Sequence, residues 1–201
     1  MRHSGNYARP SSYVLICLML SFSFVSFATA QDKVVVIPFF GGEATCTGTL
    51  VGTRWCDKGD GTVMDMTTGL VWLKKADWGS GRIWRDNDVC MPPDYNCYED
   101  AHTRTGLLSA GTTGAELSDG SVAGDWRLPT KAELVNIANG TEAVSSNNMR
   151  VFTGVQSSVY WSSSTYIDNI SRAWGVGMTT GLAFNYDKGT NYYVWPVRGG
   201  N

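Results

Sequence analysis

Few residues in this chain of 201 can do covalent or metal chemistry: it has five cysteines and two histidines. Cys17 and His3 fall in the first thirty residues, which leaves Cys46, Cys56, Cys90, Cys97 and His102 downstream. An even set of cysteines in an exported chain implies disulfides. Of the three possible pairings, sequence proximity favours Cys46 with Cys56 and Cys90 with Cys97, each pair bracketing turn-forming residues. A zinc site is the rival reading, but it calls for close C-x-x-C spacing or supporting histidines, and neither is present. No nucleophile-elbow pattern accompanies His102, so it reads as a surface residue rather than a general base. Asp57, Asp60 and Gly61 suggest a calcium loop, yet turn chemistry accounts for all three and the twelfth-position acid of an EF-hand is missing. No metal or cofactor is expected. Without a complete catalytic set the chain reads as a binding protein rather than an enzyme, and paired-carboxylate chemistry stays open as the alternative.

The leader explains the redox setting. Arg2 and Arg9 precede an apolar stretch from Tyr13 to Phe27, and Ala28-Thr29-Ala30 ends it with small residues. This is the form of a cleavable signal peptide, residues 1–30. Ser21, Ser23 and Ser26 break the apolar run before it reaches the length of a membrane span, so no transmembrane segment is expected after cleavage. The protein is expected to be periplasmic or extracellular. Of its 16 basic residues two are in the leader, against 18 acidic residues, so the processed chain carries a net charge of −4. That balance gives no general affinity for nucleic acid or anionic membrane.

The elements that would position a site are short. Residues 31–54 form a lead-in whose apolar run, Val34 to Phe40, ends at Gly41-Gly42, and residues 55–201 form one domain. Thr62 to Asp65 and Leu70 to Leu73 flank Thr67-Thr68-Gly69, which predicts a β-hairpin. Tyr98, Ala101, Thr105 and Leu108 recur at helical spacing, with His102 off that face. Residues 109–124, rich in Gly, Ser and Thr, read as a flexible surface insertion. Thr130 and Glu133 form a capping box that starts a helix running to about Asn139, with Leu134, Ile137 and Ala138 inward. The last fifty residues read as a meander with strands at 160–164, 173–178, 182–186 and 192–197. The fold class is α+β, with short helices and an antiparallel β-sheet meander. Most of Trp72, Trp126, Trp161, Trp174 and Trp195 are expected in the core. Trp78 and Trp84, in a Gly-rich loop, are the better candidates for exposed stacking platforms, or else pack beneath that loop.

Four blocks in order carry a family likeness: Gly59-Asp60-Gly61-Thr62-Val63 through Thr68-Gly69-Leu70 to Trp72, Asp125 to Leu134, Tyr160 to Ser163, and Val194 to Gly200. Together they resemble the Lcl C-terminal domain family. The Arg-Leu-Pro-Thr-x-x-Glu segment is also similar to one in formylglycine-generating enzymes, which implies a C-type-lectin-like domain. The likeness implies an adhesin-like module, since the name-giving adhesin binds sulfated glycosaminoglycans as a trimer. No collagen-like Gly-x-y stretch precedes the domain here. The formylglycine-generating enzymes use late cysteines, and in this chain the last is Cys97. An exported enzyme of that superfamily would therefore need carboxylate-based chemistry.

On a C-type-lectin-like fold the ligand loops lie among the later strands. The resemblance thus points to Tyr166, Asp168, Asn169 and Arg172 in one loop, and to Asn185, Asp187, Lys188 and Asn191 in the next. The partner implied is a glycan or a surface protein. The alternative for an anionic sugar is the basic loop of Lys74, Lys75, Arg82 and Arg85.

Overall fold

The structure, a computed structural model, describes residues 45–85, 100–139 and 151–199. The predicted signal peptide, most of the lead-in, Cys90 and Cys97 lie outside the described residues. Ten strands and two helices are described: β1 (Thr49–Val51), β2 (Trp55–Asp57), β3 (Thr62–Asp65), β4 (Val71–Leu73), β5 (Gly81–Arg82), α1 (Ala101–Gly106), α2 (Lys131–Asn139), β6 (Val159–Thr165), β7 (Arg172–Gly177), β8 (Ala183–Asp187), β9 (Tyr192–Tyr193) and β10 (Val197–Arg198). The class is α+β, mostly sheet.

The strands form two five-stranded sheets, in the orders β1-β2-β3-β4-β10 and β5-β9-β6-β7-β8. In the first sheet the predicted hairpin is present, with Val63 opposite Trp72 and Met64 opposite Val71. Asp65 makes its turn: its backbone carbonyl accepts from Gly69 and its carboxylate accepts from Thr67 N–H and the Thr68 hydroxyl. β1, within the segment read as a lead-in, is an outer strand of this sheet and pairs with β2. A disulfide between Cys46 and Cys56, with a Cα–Cα distance of 5.5 Å, ties the chain before β1 to β2. Such a bond suits an oxidising compartment.

The meander holds only in part. β6, β7 and β8 run antiparallel in sequence, but β9 lies parallel to β6 on its other side and β10 leaves for the first sheet. Pro196, which has no N–H for a ladder, stands between β9 and β10. There the Leu73 N–H donates to the Pro196 carbonyl at 3.0 Å and the Trp195 indole N–H donates to the Leu73 carbonyl at 2.7 Å. These bonds hold the crossing strand between the sheets.

Period-two alternation in β6 and β7 distributes side chains to both faces of the second sheet. Tyr160 and Val176 enter the main core with Trp55, Trp72, Trp195 and Ile137, while Trp161 and Ala173 enter a second cluster with Trp84 and Val194. Helix α2 packs on β6 and β7, burying Leu134, Ile137 and Ala138 as predicted. Its capping box is formed as read. Glu133 N–H donates to the Thr130 hydroxyl at 3.2 Å, and Thr130 N–H donates to the Glu133 carboxylate at 2.6 Å. Helix α1 starts at an Asp100 cap, and Ala101, Thr105 and Leu108 are buried.

Trp78 and Trp84 are 7% and 6% exposed, which selects packing beneath the loop over open platforms. Of the five tryptophans expected mostly in the core, Trp174 is the one that is only half-buried, at the edge of the face that α2 covers. One expectation is corrected. Residues 109–124 are not a loose insertion, because Ala115, Leu117 and Ser121 are buried and the Ser118 N–H donates to the Asp60 carbonyl at 2.8 Å.

Candidate functional site

Trp174 marks the site. Its register partner on β8 is Asn185, and Arg172, two residues earlier on β7, pairs with Asp187. Period two therefore sets Arg172, Trp174, Asn185 and Asp187 on one face of the sheet. The Lys131 ammonium, from the first residue of α2, sits 3.3 Å from the Trp174 ring centroid. Lys131 is held there by its own backbone N–H, which donates to Ser164 Oγ at 3.1 Å. Tyr166 meets Trp174 edge to face at 5.3 Å. The Arg172 guanidinium donates to the Asn185 carbonyl at 2.9 Å, capping the open side of β8. The site is an indole flanked by an ammonium, a guanidinium, a phenol and an amide.

The β6–β7 turn forms its rim. Asn169 Oδ1 accepts from the Ser171 N–H at 3.1 Å and from its hydroxyl at 2.7 Å. Hydrogen bonding to Asp168 first, and the charge of that carboxylate second, raise the Tyr166 phenol above its ordinary range. Ile167 and Ile170 project from the turn, 87% and 76% exposed.

The predicted loop residues divide about the sheet. Tyr166, Asp168, Asn169, Arg172, Asn185 and Asp187 gather at or beside the Trp174 face, with Asn185 in β8 itself rather than in a loop. Asp187 also caps the next turn, accepting from the Gly189 N–H at 2.8 Å, and Asn191 is exposed beyond it. Lys188 turns the other way: its ammonium lies 4.1 Å from the Trp84 ring, on the side of the second cluster. Burial and the neighbouring Arg85 lower the Lys188 pKa. His102 packs edge to face on the same indole at 4.4 Å, so it is not the surface residue predicted. Burial first, and Arg85 second, bring its pKa down to about 4, leaving it neutral near pH 7.

The alternative basic loop is dispersed over different partners. Lys74 pairs with Asp57 at 2.7 Å and Lys75 with Glu116 at 3.0 Å. Arg82 belongs to β5 of the second sheet, and Arg85 is exposed just after it. The Asp57 and Asp60 carboxylates accept from their own turns, at Gly59 N–H and Thr62 N–H. Among the described residues no three His, Cys, Asp or Glu side chains converge as a metal site. No described helix is long and apolar enough to cross a membrane.

Sequence reasoning missed Lys131 and Trp174 as site residues. The capping box that starts α2 was the available signal for Lys131, since it puts the following residue at the helix mouth. Nothing local separates Trp174 from its buried neighbours, because alternation gives two faces without saying where a covering helix ends.

The profile of the Lcl C-terminal domain family matches residues 61–198, well over half of the chain, and the chain belongs to that family. A search among curated proteins finds no match. The matched span includes Lys131, Tyr166, Arg172, Trp174 and Asn185.

Proposed function

We propose that this member of the Lcl C-terminal domain family is an exported, adhesin-like binding module that holds an acidic glycan against the Trp174 face. The observation that carries the proposal is the state of its cations. Among the described residues, neither Lys131 nor Arg172 has a carboxylate within ion-pair distance, whereas Arg54, Lys74, Lys75, Arg127 and Arg198 each have one. A cation held over an indole keeps its charge available to an incoming anion, and the indole offers an apolar face to the C–H side of a sugar ring. Asn185 and Tyr166 add amide and hydroxyl groups suited to sugar hydroxyls.

A binding role is supported by where the carboxylates go. Asp65 is held by Arg54, Glu133 by Arg127 and Asp119 by Arg198, while Asp100 caps α1. His102 is neutral and packed on Trp84. We read the chain accordingly as a non-enzyme, and the two short helices with late strands as a C-type-lectin-like domain. The leader and the disulfide support export to the periplasm or beyond.

The test is a glycan array probed with the purified chain, with and without calcium, followed by titration of Lys131→Ala and Arg172→Ala. Acidic glycans should be retained and then lost in the variants, and retention should weaken with salt. Retention of neutral glycans alone, or turnover of a substrate that depends on Asp168 or Asp187, would overturn the reading.

A further inference from the structure

A second cleft lies in the other sheet, with chemistry opposite to that of the Trp174 face. It has a volume of about 220 Å³ and is lined by Gly59, Gly61, Lys74, Lys75, Ala115, Glu116 and Thr153. Backbone bonds fix its walls. Lys74 N–H donates to the Gly61 carbonyl at 2.9 Å, Thr153 N–H to the Lys74 carbonyl at 2.9 Å, and Ser118 N–H to the Asp60 carbonyl at 2.8 Å. The fit is close at Gly61: a Cβ there would come within 2.2 Å of the Glu116 carbonyl oxygen.

Glu116 itself is strained. Its φ is +55°, a left-handed conformation that suits glycine and disfavours a side chain. Its side chain is 72% exposed, so no burial recompenses that conformation, yet its carboxylate meets the Lys75 ammonium at the cleft. Strain retained at an open position is a mark of a functional contact.

The charges in the cleft cancel locally. Lys75 is paired with Glu116 and Lys74 with Asp57, which leaves ammonium donors and carboxylate acceptors side by side with no net charge. An anion would have to displace a carboxylate from its lysine. A neutral ligand with neighbouring hydroxyls has no such cost, because one hydroxyl donates to the carboxylate while the next accepts from the ammonium. Gly59 and Gly61 add apolar Cα surface for C–H groups. The volume lies below the roughly 300 Å³ at which drug-sized pockets begin, which suits one ring rather than a chain of them.

We propose that this cleft is a binding site for a single neutral polyhydroxylated ring, separate from the acidic-glycan face. Each site has its own charge rule: the Trp174 face takes the anion, and the Glu116 cleft takes the uncharged ring.

Amide-resolved NMR titration of the full chain from residue 31 tests this, with D-glucose, D-galactose and D-mannose as probes and D-glucuronate as the charged control. At least one neutral hexose should shift the Ala115, Glu116 and Thr153 amides saturably. Glu116→Gly suits the positive φ and so keeps the fold while removing the carboxylate, and it should weaken that binding at least tenfold. Lys131→Ala with Arg172→Ala should leave it unchanged, which separates this site from the acidic-glycan face. Absence of saturable shifts with all three hexoses, undiminished binding in Glu116→Gly, or tighter binding of glucuronate at these amides would each overturn the proposal.

Discussion

The two sheets treat positive charge differently. In the first, cations are tied to carboxylates: Arg54 to Asp65, Lys74 to Asp57 and Lys75 to Glu116, with Arg198 of β10 on Asp119. Beside the second, Lys131 of α2 rests on Trp174 and Lys188 on Trp84 with no carboxylate partner among the described residues, whereas Arg54 and Arg198 lie over Trp55 and Trp126 while also holding their carboxylates. An ion pair spends both charges on holding segments together, whereas a cation over a ring keeps its field for a partner. The first sheet is thus built chiefly as support, and the end of the second is left charged.

The largest expected effect breaks the support. Arg54 and Asp65 are buried and joined by two bonds, Nε to Oδ1 at 2.9 Å and Nη2 to Oδ2 at 2.6 Å, and Arg54 also donates to Asn136 of α2. Asp65→Ala removes the carboxylate that balances a buried guanidinium, so the loss should be about 3–5 kcal/mol. Denaturant unfolding measures it. A loss below about 1 kcal/mol would mean that the pair is not the tie between the hairpin and α2.

Acid separates the two regions next. The folded pKa of His102, about 4, lies below its ordinary value of 6.5. Protons therefore bind the unfolded chain more readily. The stability of neutral His102 is complete above about pH 6.5 and is lost as pH falls towards about 4. Unfolding midpoints should drop across that window, and His102→Phe should flatten the drop. An unchanged slope in the variant would place the acid sensitivity elsewhere.

The junction between the sheets carries a smaller effect. Thr130 caps α2 while Glu133 reaches back to its N–H and also takes two bonds from Arg127, at 2.9 and 2.8 Å. Thr130→Ala should cost about 0.5–2 kcal/mol with the fold retained, seen as a lowered melting temperature. An unmoved melting temperature would show that the threonine is not the cap.

The smallest expected change in stability sharpens the contrast. Lys131→Ala with Arg172→Ala removes cations that hold no carboxylate, so stability should move by about 0.5 kcal/mol or less per residue. Binding of an acidic glycan should nonetheless collapse. Wild-type binding should weaken steeply with salt, since charge is screened over about 8 Å at physiological ionic strength. Salt-independent binding would remove the electrostatic account.

How much of this was legible depended on range. The capping box, the hairpin turn at Thr67-Thr68-Gly69 and the close Cys46–Cys56 pair are all settled within a dozen residues, and each stands as the sequence implied. The late loop residues could be nominated through the family likeness, but their division could not. Asn185 and Lys188 are three apart and point to opposite faces, one beside Trp174 and the other over Trp84.

The sequence alone determined the α+β class, the start of α2 and the residues available for turns, because these follow from short-range hydrogen bonding and side-chain period, and its four motif blocks carried the family. Tertiary structure alone decided which tryptophans are buried. Trp84 has a Gly-rich neighbourhood, yet its indole N–H donates to the Ser162 carbonyl at 2.6 Å. Trp174 lies in a strand, yet stays half-open because α2 begins at Lys131 and covers no further. Burial is a property of what arrives from elsewhere in the chain, and a local pattern cannot report where a distant helix ends.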